Sequence, residues 1–222
     1  MENNIFYPIV FRHSIHDYYN RDGSFYADYK SNYDIVSSDC LKRCVYCDAT
    51  EKECGGDRFS LDHFRPRKLF SNKFNGILIT HPYNLYLSCQ KCNVLKSSDW
   101  HGCLNTIDGY THSNKKGYLD RFSPNYSDYI SVNNNGEIIS IQPNGPVDYM
   151  IQKLHLNRPN RVYIRKLRII KEKIAAISEL MTKLECGISE QYDSGELTAD
   201  HALKIIQKIQ LVRKDFQSVQ FN

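Results

Sequence analysis

Cys44-Val45-Tyr46-Cys47, Ser60-Leu61-Asp62-His63-Phe64-Arg65-Pro66-Arg67 and Cys89-Gln90-Lys91-Cys92-Asn93-Val94-Leu95-Lys96 lie along the stretch whose reading decides the fold. Each Cys-x-x-Cys offers two thiolates from one tight turn, and two such pairs complete a tetrahedral four-cysteine zinc site. A module of about 60 residues buries too little apolar surface to be stable alone, so a structural metal stabilises it. The competing readings are a redox Cys-x-x-Cys and buried free thiols. Redox motifs come singly and beside a βαβ pattern, which the sequence does not show. Cys54 follows Cys47 closely enough to substitute for one ligand. Cys40, Cys103 and Cys186 have no partner spacing and read as small hydrophobes or free thiols.

Between the knuckles, Asp62 and His63 follow a short strand-like run and precede Pro66, which places a carboxylate and an imidazole on opposite sides of the chain. By itself such a pair reads as an ordinary hydrogen-bonded histidine. The context adds Asn84-Leu85, then Asn93 directly after the last knuckle cysteine, with Lys96 one turn beyond.

Outward from this stretch the chain is ordinary. It has 222 residues, 41% hydrophobic, enough for one large domain or a small catalytic module with an appendage. No run approaches the roughly 20 apolar residues of a membrane span, and the N-terminus lacks a signal-peptide pattern, so a cytoplasmic location is expected with no membrane contact. Six of the eight cysteines fall between 40 and 92, a clustering that suits a metal in a reducing compartment better than a secreted disulfide scaffold. The net charge of +4 arises C-terminal to residue 146. There Arg158, Arg161, Arg165, Lys166, Arg168, Lys171 and Lys173 meet one acid, Glu172; they can track a polyanion or form a solvated helix face.

Four segments are expected: residues 1–40 as a largely irregular covering segment, 41–100 as the knuckle module, 101–146 as loops with one hairpin, and 147–222 as helices. The hairpin is placed at Asp128–Val132 and Glu137–Gln142 around Asn133-Asn134-Asn135-Gly136. Tyr163, Leu167, Ile170, Ile174, Ile177, Met181 and Leu184 form one apolar stripe along a helix that Gly187 can terminate. Ala202, Ile205, Ile209, Val212, Phe216 and Val219 form a second, after Thr198 as N-cap. The two helices are expected to pack antiparallel through these stripes, as core or in part as a partner interface.

The order Cys-x-x-Cys, Asp-His-x-x-Pro, Asn-Leu, Cys-x-x-Cys-Asn-x-x-Lys resembles the zinc-bearing HNH endonucleases, a group similar in core to phage resolvase nucleases and to the HNH domain of RNA-guided nucleases. The resemblance covers Arg43 to about Trp100. It implies an α+β fold: a zinc-stapled ββα-metal (His-Me finger) core with an irregular N-terminal segment and a C-terminal helical hairpin. It implies further that Cys44, Cys47, Cys89 and Cys92 hold structural Zn²⁺, that Asp62 and Asn93 hold a catalytic cation, that His63 is the general base, and that Asn84 holds the loop orienting it. Asn93 stands where the family often has histidine, which suits Mg²⁺ or Mn²⁺ because an amide oxygen is a hard ligand. His63 would deprotonate water for in-line attack on phosphorus, and the cation would stabilise the developing charge. Arg65, Arg67 and Lys68 then read as phosphate contacts or as surface solubility, and Lys96 as a phosphate contact or a helix cap.

Cys92 to Trp100, Phe122-Ser123-Pro124 and Gln152 to Arg158 look like the HNH proteins of bacterial antiphage systems, the Septu-type and retron-linked nucleases that work with an ATPase. That looser match implies a defence role and an ATPase partner, with DNA favoured as substrate over a structured RNA such as tRNA. The rival class is a zinc-knuckle nucleic-acid-binding or assembly module without catalysis, which would not need the Asp62–His63–Asn93 set.

Overall fold

The structure is a computed structural model that describes residues 5–18 and 28–220, with side-chain surroundings as far as residue 214. It is a mixed α and β fold whose chain divides into two compact units, residues 1–166 and 167–222. The helical region expected from 147 is therefore shared between them, and its first part belongs to the knuckle unit.

In the first unit, strand β1 (Ser60–His63) pairs antiparallel with β2 (Leu85–Ser88), in a register that sets Asp62 opposite Tyr86 and His63 opposite Leu85. Every residue of β2 is buried. The N-terminal region explains this, since helix α1 (Tyr33–Asp39) packs against β2. The segment before it is pinned by Arg12, whose guanidinium donates to the carbonyls of Pro82, Tyr83 and Leu85 and lies 3.7 Å over the Phe122 ring. Among the described residues before 40, the chain packs on the module through Arg12 and helix α1, which stands among irregular turns.

The connection from β1 to β2 carries the short helix α2 (Arg67–Phe70) and two 3-10 turns. It closes on an aromatic cluster in which Phe64 stacks on Tyr86 at 4.6 Å, while Trp100 stands edge-on to Phe64 and Phe70 at 5.4 and 6.0 Å. Helix α3 (Gln90–Lys96) follows β2 directly and packs against β1.

Residues 101–146 contain two hairpins. One is unforeseen, β3 (His112–Ser113) with β4 (Lys116–Gly117), turning through Asn114 and Lys115 at φ of 49° and 61°. Positive φ at both positions is a primed turn without the usual glycine, so it leaves a weak sequence signal. The expected hairpin is present as β5 (Ile130–Val132) and β6 (Ile138–Ser140). Its Asn133 carboxamide oxygen accepts from the N–H groups of Asn135 and Glu137. Gly136, at φ 84°, lies so close to the first turns of the following long helix that a Cβ would meet the Val162 carbonyl oxygen at 2.4 Å. Helix α4 (Val147–Leu154) buries Val147, Met150 and Leu154 at i, i+3 and i+7, and packs against β4, β6 and α3.

Helix α5 (Pro159–Asp193) starts with proline at its first position, where the missing N–H costs nothing. It runs through Gly187, contrary to expectation, and ends before Gly195, which takes φ 79°. A glycine stops a helix when the chain uses its left-handed freedom, and Gly195 does so where Gly187 does not. In the second unit, α6 (Ala199–Gln220) begins as expected behind Thr198, whose hydroxyl accepts from the His201 N–H. The α5–α6 hairpin is held by Met181, Ile188, Ala202 and Ile209, with Ile177, Leu197 and Ile206 against them. This corrects both stripes: Leu184, Ile205 and Val212 are exposed, and Ile188 and Ile206 take the inward places. The inward positions keep a seven-residue spacing, Met181 to Ile188 and Ala202 to Ile209, and on α6 the place between them falls to Ile206 instead of Ile205. The expected contributions of Phe216 and Val219 lie outside the described side chains.

Candidate active site

The two knuckles meet. The Sγ atoms of Cys44, Cys47, Cys89 and Cys92 all lie within 4.8 Å of one another, and all four residues are buried. Backbone geometry explains the first pair: the Cys44 N–H donates to Ala49 O and the Asp48 N–H to Cys44 O, with Asp48 left-handed at φ 60°. The second pair sits at the N-terminus of α3, where helix amides favour negative charge. Four buried thiols at this spacing could hold a metal ion such as Zn²⁺.

The surroundings fit a charged cage. A zinc–thiolate centre here would be dianionic and would need countercharge in a low-dielectric interior, and Arg158 with the first turns of α5 supplies it. The Arg158 guanidinium lies 3.8–4.0 Å from the sulfurs of Cys89, Cys92 and Cys47. Burial disfavours its charge, but the neighbouring Cys92 and Cys47 sulfurs outweigh that and hold its pKa above the ordinary arginine value. Arg161 donates to Cys54 Sγ at 2.7 Å and to Glu53 O. Arg165, almost fully buried, donates to Gly136 O at 2.6 Å and Leu156 O at 2.9 Å. Sequence reading placed these three arginines on a polyanion-tracking or solvated face; the structure turns them inward. Their spacing of three and then four residues on one helix side, without acids between, was the available signal. Cys54 stands beside the cage rather than in it, and Cys40 is a buried thiol that burial pushes up to about 11.

The second centre is the ββα unit of β1, β2 and α3. Alternation along β1 sends Asp62 inward and His63 outward. A cavity of about 420 Å³ brings together His63, Asp62, Asn93, Arg67, Lys68 and Tyr29. His63 Nε2 lies 2.8 Å from the Ile79 carbonyl oxygen. A carbonyl only accepts, so Nε2 carries the proton and Nδ1 keeps its lone pair. Burial lowers the His63 pKa, which favours the neutral ring.

Through its side chain, Asn84 bridges the backbone on both sides of the connection from β1 to β2. Its side-chain oxygen accepts from the Arg65 N–H at 2.8 Å, and its amide nitrogen donates to Arg65 O and to Leu78 O, one residue before the carbonyl that meets His63. Asn93 donates to Ser60 Oγ at 3.0 Å and lines the cavity.

Asp62 and Lys96 depart from their expected surroundings. The Asp62 carboxylate accepts from Tyr46 Oη at 2.5 Å and is paired with Lys96 Nζ, 3.0 Å from Oδ2 and 3.3 Å from Oδ1. Lys96 is fully buried and also donates to His63 O at 2.9 Å, so it is neither a surface phosphate contact nor a helix cap. Arg65 turns away from His63, buried over Trp100 and bonded to Gly109 O, and is not positioned to grip a phosphate there. Arg67 and Lys68 are exposed at the rim. A hard divalent cation would find suitable donors in one carboxylate oxygen and the Asn93 amide oxygen, but would have to share Asp62 with an ammonium.

Set against protein-family models, curated proteins and solved structures, the chain matches none. No helix among the described residues is long and apolar enough to cross a membrane.

Proposed function

We propose that the chain is a metal-dependent endonuclease of the HNH type that hydrolyses phosphodiester bonds, with His63 as general base. The observation that carries this reading is His63 itself: its pKa lowered by burial, its Nε2 held against the Ile79 carbonyl, and its ring lining a cavity rimmed by Arg67 and Lys68. Nδ1 accepts a proton from water as the water oxygen attacks phosphorus. Arg67 and Lys68 hold flanking phosphates and orient the strand. Asp62 and Asn93 would hold Mg²⁺ or Mn²⁺, which would supply electrostatic stabilisation of the departing 3′-oxygen. Zn²⁺ on the four cysteines stabilises the unit that carries these residues.

The test is incubation of the purified protein with plasmid DNA and total RNA, with Mg²⁺ or Mn²⁺, beside His63→Ala. Wild-type cleavage that the variant lacks supports the reading; equal activity in both refutes the base. Water as nucleophile does not require a ribose 2′-hydroxyl, so the chemistry admits DNA and RNA. The resemblance to antiphage nucleases favours DNA and an ATPase partner. The hairpin of the second unit supports a partner by exposing Leu180, Leu184, Leu203 and Leu211. One observation favours a second reading, a zinc-knuckle nucleic-acid-binding module without catalysis: the Asp62 carboxylate is already neutralised by Lys96. Protein that binds nucleic acid but cleaves neither substrate would establish that reading.

A further inference from the structure

The Tyr29 ring stands edge-on to His63, with centroids 5.4 Å apart. Together with Leu61 it forms a wall shared by two cavities: the one holding His63 and a neighbouring one of about 290 Å³. The neighbour is built differently. Tyr33 and Phe59 give it aromatic sides, and Lys30 and Arg58 stand at its edge. The Arg58 guanidinium lies 3.9 Å over the Tyr33 ring and pairs loosely, at 3.8 Å, with the exposed Asp34. Tyr33 is held in place, its hydroxyl donating to Phe59 O at 3.0 Å. Lys30 and Arg58 on one side of Tyr29, and Arg67 and Lys68 on the other, give a cationic path past the His63 cavity.

We propose that this neighbouring cavity is a subsite for an unpaired nucleobase, with Tyr29 as its stacking platform, so that the substrate at His63 is single-stranded or locally unpaired. The inference rests on the nuclease reading and deepens it. Flat aromatic walls with arginine and lysine at the edge match a base attached to a phosphate backbone, because every base has a π-face and the backbone brings the negative charge. In a duplex that face is covered by neighbouring bases. A base reaches a cavity one ring away from the scissile phosphate only if it leaves the stack. The volume lies near the lower end of small-ligand sites, about 300 Å³, which suits one base rather than a stretch of helix.

The experiment measures binding of His63→Gln protein to short strands carrying fluorescent 2-aminopurine at successive positions, as single-stranded DNA, single-stranded RNA and the matched DNA duplex. The expected result is tighter binding of single strands than of duplex, with fluorescence quenched at one position. Tyr29→Ala should weaken single-strand binding about ten-fold or more and abolish the quenching, while Tyr29→Phe stays within about two-fold. An abasic nucleotide at the quenched position, tested on protein retaining Tyr29, should reproduce the loss and add nothing to Tyr29→Ala. Duplex bound as tightly as single strand, unchanged affinity in Tyr29→Ala, or additive losses would each overturn the subsite. If wild-type protein cleaves neither DNA nor RNA but the stacking pattern is found, the nuclease reading fails and the subsite stands. Cleavage without the pattern removes the subsite alone, and binding of no strand removes both.

Discussion

Lys96 Nζ sits 3.0 Å from Oδ2 of Asp62, and both side chains are withdrawn from water. The ammonium also reaches the backbone oxygen of His63, so one lysine ties the end of α3 to two consecutive residues of β1. The ion pair sets the spacing between the helix and the strand that carries the proposed base.

Removing one partner of such a pair leaves the other charge buried. Lys96→Met is therefore expected to destabilise the protein by about 3–5 kcal/mol, read from urea unfolding. Adding Asp62→Asn should recover part of that loss. Strict additivity of the two changes would show that the residues are not coupled.

His63 makes a pH prediction. Burial lowers its folded pKa, so the neutral base persists below the ordinary histidine value of about 6.5. The acid limb of kcat/KM should fall below that value, and His63→Ala should lower activity by about 10²–10⁴-fold. Its stability contribution runs the same way: present above the unfolded pKa, and lost as pH falls through it toward the folded pKa. An acid limb above 6.5 in the profile would contradict the assignment.

One equivalent of zinc per chain is expected by elemental analysis, and Cys89→Ser should lose it together with solubility. Arg158 touches three of the four sulfurs without ligating, so Arg158→Met should retain the fold and release zinc to a chelator more readily, by about 10–100-fold in affinity. Identical zinc retention in both proteins would reduce Arg158 to a packing role.

Partner docking is best tested by substitution. A chain ending near Asn157 would lose Arg158, Arg161 and Arg165 from around the cysteine cluster, so its failure would say nothing of docking. Leu180→Lys, Leu203→Lys and Leu211→Lys together change exposed positions and should leave the melting temperature nearly unchanged. Loss of co-purification with the proposed ATPase partner is the expected outcome; undiminished capture would assign these leucines to no interface.

Much of the centre was legible from spacing. Two Cys-x-x-Cys pairs converge because each pair is set by one tight turn and needs only its partner. Asn84 was expected to hold the histidine loop, and its side chain bonds to the backbone of Arg65 and Leu78. The Asn133–Gly136 turn and the Thr198 cap were equally local, written in residues that satisfy their own backbone.

What the sequence by itself determined, then, were features closed within a few residues: knuckles, a turn, a cap and the alternation that separates Asp62 from His63. Only the tertiary structure decided where long side chains end. Arg65, Lys96, Arg158 and Arg165 look alike in a sequence, as cations suited to phosphate, and each is buried or half-buried against carbonyls, a carboxylate or thiolates. A long flexible cation goes wherever desolvation is offset by the best partners, and those partners come from remote strands and turns. Gly187 and Gly195 are likewise identical in the sequence, and only the backbone shows that the second, at φ 79°, lies past the end of α5 while the first continues it.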